Sequence, residues 1–292
     1  MKRDYSDGYY IGDISGDLRH GKGAYYWTNG NIYIGDWVND NRTGKGIIIC
    51  KDGSVDSGNF YEGDFVDGKR TGKGRFVRND GEIFEGDYLN DRRLFGKCIY
   101  PSGDVYEGDF ADGKRHGKGK YIWKTSKRNG DVYEGDWVDG KRTGKGKYIY
   151  ASGNIYEGDF ADGKRHGKGK YTFASGNIYV GDFVDGKKHG KGRYVRNDGE
   201  IFEGDYLNDR RLFGKCIYPN GDIYEGDWTD GKKHGKGIYT YANGDVYEGD
   251  FVGDKRQGNG TLVKADGTVT TGKWENNVCV ENNTARRKTV NY

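Results

Sequence analysis

Aromatic and polar residues alternate along nearly the whole chain. In "GKYIYASGNIYEGDFAD", residues 146–162, Gly146, Tyr148 and Tyr150 alternate with Lys147 and Ile149. Beyond Ser152 and Gly153, Tyr156, Gly158 and Phe160 alternate with Glu157 and Asp159. A period of two sends successive side chains to opposite faces of a strand, so this segment predicts a β-hairpin. The turn reads Asn-Gly at Asn29, Asn129, Asn220 and Asn243, Asp-Gly at Asp52, Asp80, Asp198 and Asp266, and Ser-Gly elsewhere. These residue types tolerate the positive φ of tight hairpins. Between hairpins stands "DGKRHGKG" or a variant of it, whose glycines are expected to reverse the chain again as a loop. The predicted fold is an all-β, single-layer antiparallel meander.

The pattern is a repeat. Aligned on the glycine of Y-x-G-D, it recurs at Gly12, Gly35, Gly63, Gly86, Gly108, Gly135, Gly158, Gly181, Gly204, Gly226, Gly249 and, degenerately, Gly272. Intervals run from 22 residues (Gly86 to Gly108) to 28 (Gly35 to Gly63). About twelve units fill residues 9–274 of one repeat domain spanning 1–292, with a short lead and a basic tail at 275–292, and leave no room for a catalytic domain. About 24 strands at ~4.8 Å each predict an elongated, twisted strip of roughly 115 Å.

The pleat separates two chemistries. One face gathers Tyr148, Tyr150, Tyr156 and Phe160 beside Gly146 and Gly158, where a missing side chain leaves room for a neighbouring ring. On the other face, strands bearing Glu157 and Asp159 alternate with strands bearing Lys170 and Thr172 or Arg193 and Val195. Opposite charges across neighbouring strands contribute roughly 0.2–1 kcal/mol each and can hold a single layer together.

Composition agrees with order built from aromatics. Only 33% of residues are hydrophobic against 32% charged, yet 25 Tyr, 12 Phe and 6 Trp are spread evenly, unlike a disordered chain. No apolar leader and no apolar run of about 18 residues occurs, so a cytoplasmic protein is expected. Cys50, Cys98, Cys216 and Cys279 lie far apart without a CxxC pair and read as reduced thiols.

At Tyr133–Tyr148 and Tyr156–Tyr171 the chain follows Y-x-G-D-[WF]-x-x-G-K-x-[HT]-G-x-G-x-Y. This resembles the MORN repeat (membrane occupation and recognition nexus). The resemblance implies a strip of hairpins whose aromatic face forms a shallow groove. It also implies a scaffold at cytoskeletal or ciliary structures, a partner-binding module, or a binder of acidic phospholipids. Nothing here resembles the lipid kinase, SET methyltransferase or exchange-factor domains that accompany the repeat in some members.

Active-site motifs do not survive inspection. "GKRTGKG" at Gly68–Gly74 lacks the spacing and the hydroxyl of a P-loop. His20, His116, His166, His189 and His234 share one loop position with Thr43, Thr71, Thr143 and Gln257, an exchange that a catalytic or metal-bound imidazole does not allow. The Glu-Asp pairs recur too regularly for a glycosidase dyad. A non-enzymatic protein without cofactor or metal is expected.

Two surfaces remain as candidates. The aromatic groove of Tyr106, Phe110, Tyr121, Tyr133, Trp137, Tyr148, Tyr150, Tyr156, Phe160, Tyr171 and Phe173 either packs on itself or takes a protein partner. The loop rim of Lys114, Arg115, Lys118, Lys141, Arg142, Lys145, Lys164, Arg165, Lys168, Lys187, Lys188 and Lys191 either keeps the sheet solvated or meets anionic lipid headgroups. Basic residues interleaved with acidic strands give no continuous positive face, so nucleic acid is not expected.

Two loops break the pattern. The block "RNDGEIFEGDYLNDRRLFGKCIYP" is identical at 78–101 and 196–219, and puts Leu94-Phe95 and Leu212-Phe213 behind Arg92-Arg93 and Arg210-Arg211. Either each Phe folds over the edge onto Cys98 or Cys216, or the four-residue groups are matched contact points, about 48 Å apart at the same strand spacing. Unpaired edge strands at the ends allow a monomer or an end-to-end dimer.

Overall fold

In the computed structural model, residues 1–51, 58–125 and 127–283 are described. They form 25 strands and, among the described residues, no helix. The chain divides into two compact units, residues 1–151 and 152–292. Unit one holds β1 (Lys2–Tyr5), β2 (Gly8–Ser15), β3 (Leu18–Trp27), β4 (Ile32–Val38), β5 (Asn41–Ile49), β6 (Phe60–Val66) and β7 (Lys69–Val77). It continues with β8 (Ile83–Leu89), β9 (Arg92–Ile99), β10 (Val105–Ala111), β11 (Lys114–Ile122), β12 (Val132–Val138) and β13 (Lys141–Ile149). Unit two holds β14 (Ile155–Ala161), β15 (Lys164–Thr172), β16 (Ile178–Val184), β17 (Lys187–Val195), β18 (Ile201–Leu207) and β19 (Arg210–Ile217). It ends with β20 (Ile223–Thr229), β21 (Lys232–Thr240), β22 (Val246–Val252), β23 (Lys255–Val263), β24 (Val269–Glu275) and β25 (Val278–Asn282).

Within each unit every strand pairs antiparallel with the next. The all-β hairpin meander is therefore what both units build. Residues 2–5, part of the short lead before the first repeat, form an additional strand against β2. A four-residue charged stretch is too short to show a period.

The turns correct the hairpin assignment. "DGKRHGKG" is not a loop. Its first two residues make a tight two-residue turn, Asp112 (φ 46°) and Gly113 (φ 75°) between β10 and β11, with both φ values positive as a type I′ turn requires. The following Lys-Arg-His-Gly-Lys-Gly is strand, so all five histidines lie in strands rather than loops. Conversely, the expected tight turn at Ser-Gly is the wider tip. Between β15 and β16, Phe173 N donates to Asn177 O at 2.9 Å and Gly176 N to Phe173 O at 2.9 Å. Most of the longer tip after Lys51, and the tail from Thr284, lie outside the described residues.

Glycine sets the packing. Register aligns Gly119, Gly135 and Gly146 side by side on β11, β12 and β13. A Cβ on Gly146 would stand 2.5 Å from Cε2 of the Tyr133 ring, a separation no packed side chain adopts. The tyrosine thus lies across its neighbour's glycine, as the sequence suggested. The aspartate after each Y-x-G fixes the bulge in the next strand, with Lys118 N donating to Asp109 Oδ2 at 2.8 Å.

Candidate functional site

The aromatic face is largely closed by its own rings, leaving a hollow of about 530 Å³ beside Tyr61 and Phe76 in unit one and one of about 410 Å³ beside Tyr194 and Tyr206 in unit two. In unit one the first tyrosine or phenylalanine of each repeat meets the aromatic four residues on, and the one in the next repeat, edge to face. Centroids lie 5.0–5.5 Å apart and ring planes 81–90°. Unit two repeats this ladder at 5.1–5.6 Å and 78–89°. Edge-to-face contact is the arrangement that ring quadrupoles favour. Of the expected groove, Tyr106, Phe110, Tyr121, Tyr133, Trp137, Tyr148, Tyr156 and Phe160 are buried in this stack, while Tyr150, Tyr171 and Phe173 are half-buried. The Tyr106 hydroxyl donates to Asp109 O at 2.8 Å. Burial, above all, pushes the Tyr106 hydroxyl's pKa well above its ordinary value.

The basic rim separates into three roles. Lys114, Lys141, Lys164 and Lys187, first in each strand, are exposed. The second residue turns onto the aromatic face. Arg115 lies 4.6 Å over Trp137 and 4.8 Å over Tyr121, and its Nη2 donates to Gly140 O at 2.9 Å. Arg142 covers Tyr148 at 5.0 Å, Arg165 covers Tyr171 at 4.8 Å, and Lys188 covers Tyr194 at 5.2 Å. The third, exposed like the first, lies on the opposite face. Lys118 pairs with Asp136, Lys168 with Asp182 at 2.5 Å and Lys191 with Asp205 at 2.8 Å; Lys145 is exposed at the same position. Asp136 is held below its ordinary pKa although burial works the other way, because Lys118 and the Lys145 N–H both donate to it.

That opposite, charged face carries the larger hollows. Glycine pairs form their floor, and rows of charged, β-branched and threonine side chains form their walls. In unit two a cavity of about 850 Å³ is bordered by Phe213, Glu225, Ile238, Glu248, Thr261 and Thr271. In unit one a cavity of about 590 Å³ is bordered by Ile34, Ile47, Glu62, Arg75, Lys45 and Lys73. Sequence reasoning placed the groove on the aromatic face and missed this one. The signal was present in the glycine rows, which leave both sides of the backbone bare, but rings fill only one side. Among the described residues no group of three or more His, Cys, Asp or Glu is placed to hold a metal ion.

The two irregular repeats are rebuilt together. In an ordinary repeat Tyr121 donates to Asp104 at 2.9 Å, and burial with that bond pushes the tyrosine up to about 12. In the variant, Cys98 replaces the tyrosine, Glu82 the aspartate, and Arg93 reaches Glu82 at 2.8 Å while lying 4.5 Å over Phe84. Unit two has the same set, with Arg211–Glu200 at 2.9 Å and Arg211 4.4 Å over Phe202. Burial first, and the Glu82 charge second, push the Cys98 thiol up to about 11. Phe95 and Phe213 do not fold onto these cysteines. Each Cys lies three positions after its Phe, so the pleat puts them on opposite faces, and both phenylalanines are 47% exposed. Arg92, Leu94, Arg210 and Leu212 are also exposed, with Arg92 paired to Asp112 at 3.3 Å and Arg210 to Asp230 at 3.1 Å.

Comparison with known families matches the MORN repeat at residues 10–32, 33–55, 61–83, 106–128, 133–155, 156–178, 179–201, 213–223, 224–246 and 247–269. The two longest internal gaps between matches, 84–105 and 202–212, both fall in the rebuilt repeats. The search of curated proteins gives no significant match. Among solved structures, the chain is similar to the TCP10 domain of Danio rerio CPAP in complex with a STIL peptide, at 13% identity and a TM-score of 0.41 over 70% of this chain and 98% of that one. It is also similar to the SAS-4 (dCPAP) TCP domain of Drosophila melanogaster in complex with a proline-rich motif of Ana2, at 16% identity and a TM-score of 0.32 over 70% and 90%.

Proposed function

The chain belongs to the MORN-repeat family, and from that premise we propose that it is a non-enzymatic scaffold that docks protein partners on its charged, glycine-floored face. One observation carries the reading. The aromatic face spends most of its rings on each other and keeps hollows of about 530 and 410 Å³, whereas the opposite face keeps larger ones of about 850 and 590 Å³ whose walls mix charge with apolar groups such as Phe213, Ile238, Ile34 and Ile47. Mixed walls over a rigid floor suit a polypeptide better than a small molecule. Cytoskeletal or ciliary partners in the cytoplasm fall within this reading. The alternative is attachment to acidic phospholipid membranes through exposed Lys114, Lys141, Lys164 and Lys187. It has fewer available charges than the sequence promised, since Lys164 pairs with Asp185 at 3.4 Å, the second basic residue of each strand lies over rings and several of the third pair with aspartate.

Affinity capture under cross-linking separates the two. The scaffold reading expects a discrete protein retained by the wild type and lost from Glu225→Lys/Glu248→Lys without a change in melting temperature. Failure to retain any protein, with salt-sensitive pelleting on phosphoinositide vesicles, would replace it by the membrane reading.

A further inference from the structure

On the charged face, lysine and aspartate face each other across neighbouring repeats. Lys22–Asp36, Lys45–Asp64, Lys73–Asp87, Lys118–Asp136, Lys168–Asp182, Lys191–Asp205 and Lys236–Asp250 are all register partners and ion pairs. The row is interrupted in each rebuilt repeat. There Phe95 stands opposite Asp109, and Phe213 opposite Asp227, at the position that lysine holds elsewhere. Asp109 accepts the Lys118 backbone N–H at 2.8 Å and Asp227 that of Lys236 at 3.0 Å. Among the described residues neither carboxylate has an ion pair, although their equivalents take a lysine on the second oxygen. Each therefore stands opposite, in register, a phenylalanine that is 47% exposed.

We infer that Phe95 with Asp109, and Phe213 with Asp227, are two copies of one receptor site for an arginine side chain supplied by a partner polypeptide. The inference rests on the scaffold reading and gives its partner a chemistry. A cation is called for because the aspartate has lost its internal one. Arginine fits better than lysine, since a planar guanidinium can lie on the phenyl face while its fork pairs with the carboxylate. The surroundings agree in sign. Glu225 and Glu248 line the same cavity as Phe213, against Lys236, which is already paired with Asp250. The segment bearing the arginine would lie across the strands on the glycine floor, where no side chain obstructs it. The whole chain has a formal net charge of +3, so a basic peptide gains nothing from bulk attraction and its binding reports the local site.

The test uses the full chain and a short fluorescein-labelled peptide of alternating arginine and serine, followed by fluorescence anisotropy. Phe95→Lys/Phe213→Lys installs the residue that ordinary repeats already carry, so the variant folds and completes the row. The expected result is saturable binding by the wild type, about tenfold weaker or more in that variant because an internal ammonium now occupies the aspartate. Glutamine in place of arginine in the peptide is expected to abolish binding. Equal affinity of wild type and variant, or no saturable binding by the wild type, overturns the site. A protein captured under cross-linking by wild type and variant alike overturns the arginine site and leaves the scaffold reading standing. Capture of none by either removes both.

Discussion

The hairpin of β10 and β11 and the hairpin of β8 and β9 are neighbours in unit one with the same glycine register, yet they solve the same packing problem differently. The first closes its aromatic face with Tyr121 bonded to Asp104 at 2.9 Å, and gives its charged face Lys118. The second closes with an Arg93–Glu82 ion pair, 17% and 11% exposed, over a buried cysteine, and gives its charged face Phe95. Losing the tyrosine ring is compatible with the fold only because the longer acid and the arginine fill its place together. The lysine-to-phenylalanine change on the other side leaves a ring 47% exposed and an aspartate without the lysine its equivalents have. Internal compensation marks the first set of changes as structural; the second, uncompensated, is where the proposed arginine site lies.

Breaking the ion pair is expected to have the largest effect. Arg93→Ala leaves Glu82, 11% exposed, with Arg78 at 3.3 Å as its remaining cation, and costs roughly 3 kcal/mol in urea unfolding, the low end of the range for breaking a buried pair. Arg115→Ala in the ordinary repeat costs about 1–2 kcal/mol through lost cover of Trp137, because Asp104 keeps Tyr121 and the Lys124 N–H at 2.6 Å. Equal losses would show that the two hairpins are not built differently. Next is the glycine socket. Gly146→Ala forces the Tyr133 ring aside and costs about 1–3 kcal/mol or more. Tyr133→Phe loses the bond to Asp136 O at 3.0 Å, about 1 kcal/mol, and Phe84 and Phe202 fill their sockets without a hydroxyl.

Alkaline pH distinguishes the hairpins by onset. Tyr121 and Cys98 both have folded pKa values raised above the unfolded ones, to about 12 and about 11. Each contributes stability that is complete below its unfolded pKa and is lost as pH rises towards the folded one. The unfolded values are about 8.5 for cysteine and about 10 for tyrosine, so amide exchange in β8 and β9 is expected to accelerate at lower pH than in β10 and β11. Simultaneous onset would contradict the assignment. Cys98→Ser removes the early step if the thiol causes it. The smallest effect belongs to the exposed ladder. Lys118→Ala is expected to lower stability by under about 1 kcal/mol, and Phe95→Lys to change it by only a few tenths.

Much of this was legible in the sequence. The period of two gave the strands, the repeat gave their number to within β1, and glycine beside tyrosine gave the socket. What failed has physical reasons. Asp-Gly and Ser-Gly are both turn formers, so composition alone does not say which makes the two-residue turn, and Lys-Arg-His-Gly reads as loop until register shows it paired. Arg115 and Lys118 look alike in the motif, but the pleat sends one over Trp137 and the other to Asp136. Phe95 and Cys98 are three positions apart, an odd offset that in a strand changes face.

The account's central claim is that partners dock on the charged face and not on the aromatic one. A photo-cross-linking amino acid placed at Phe213, on the charged face, and separately at Phe173, half-buried at the edge of the aromatic face, tests it in the native cell. The account predicts a covalent protein adduct from the Phe213 position and none from Phe173. An adduct from Phe173 with none from Phe213 would contradict it.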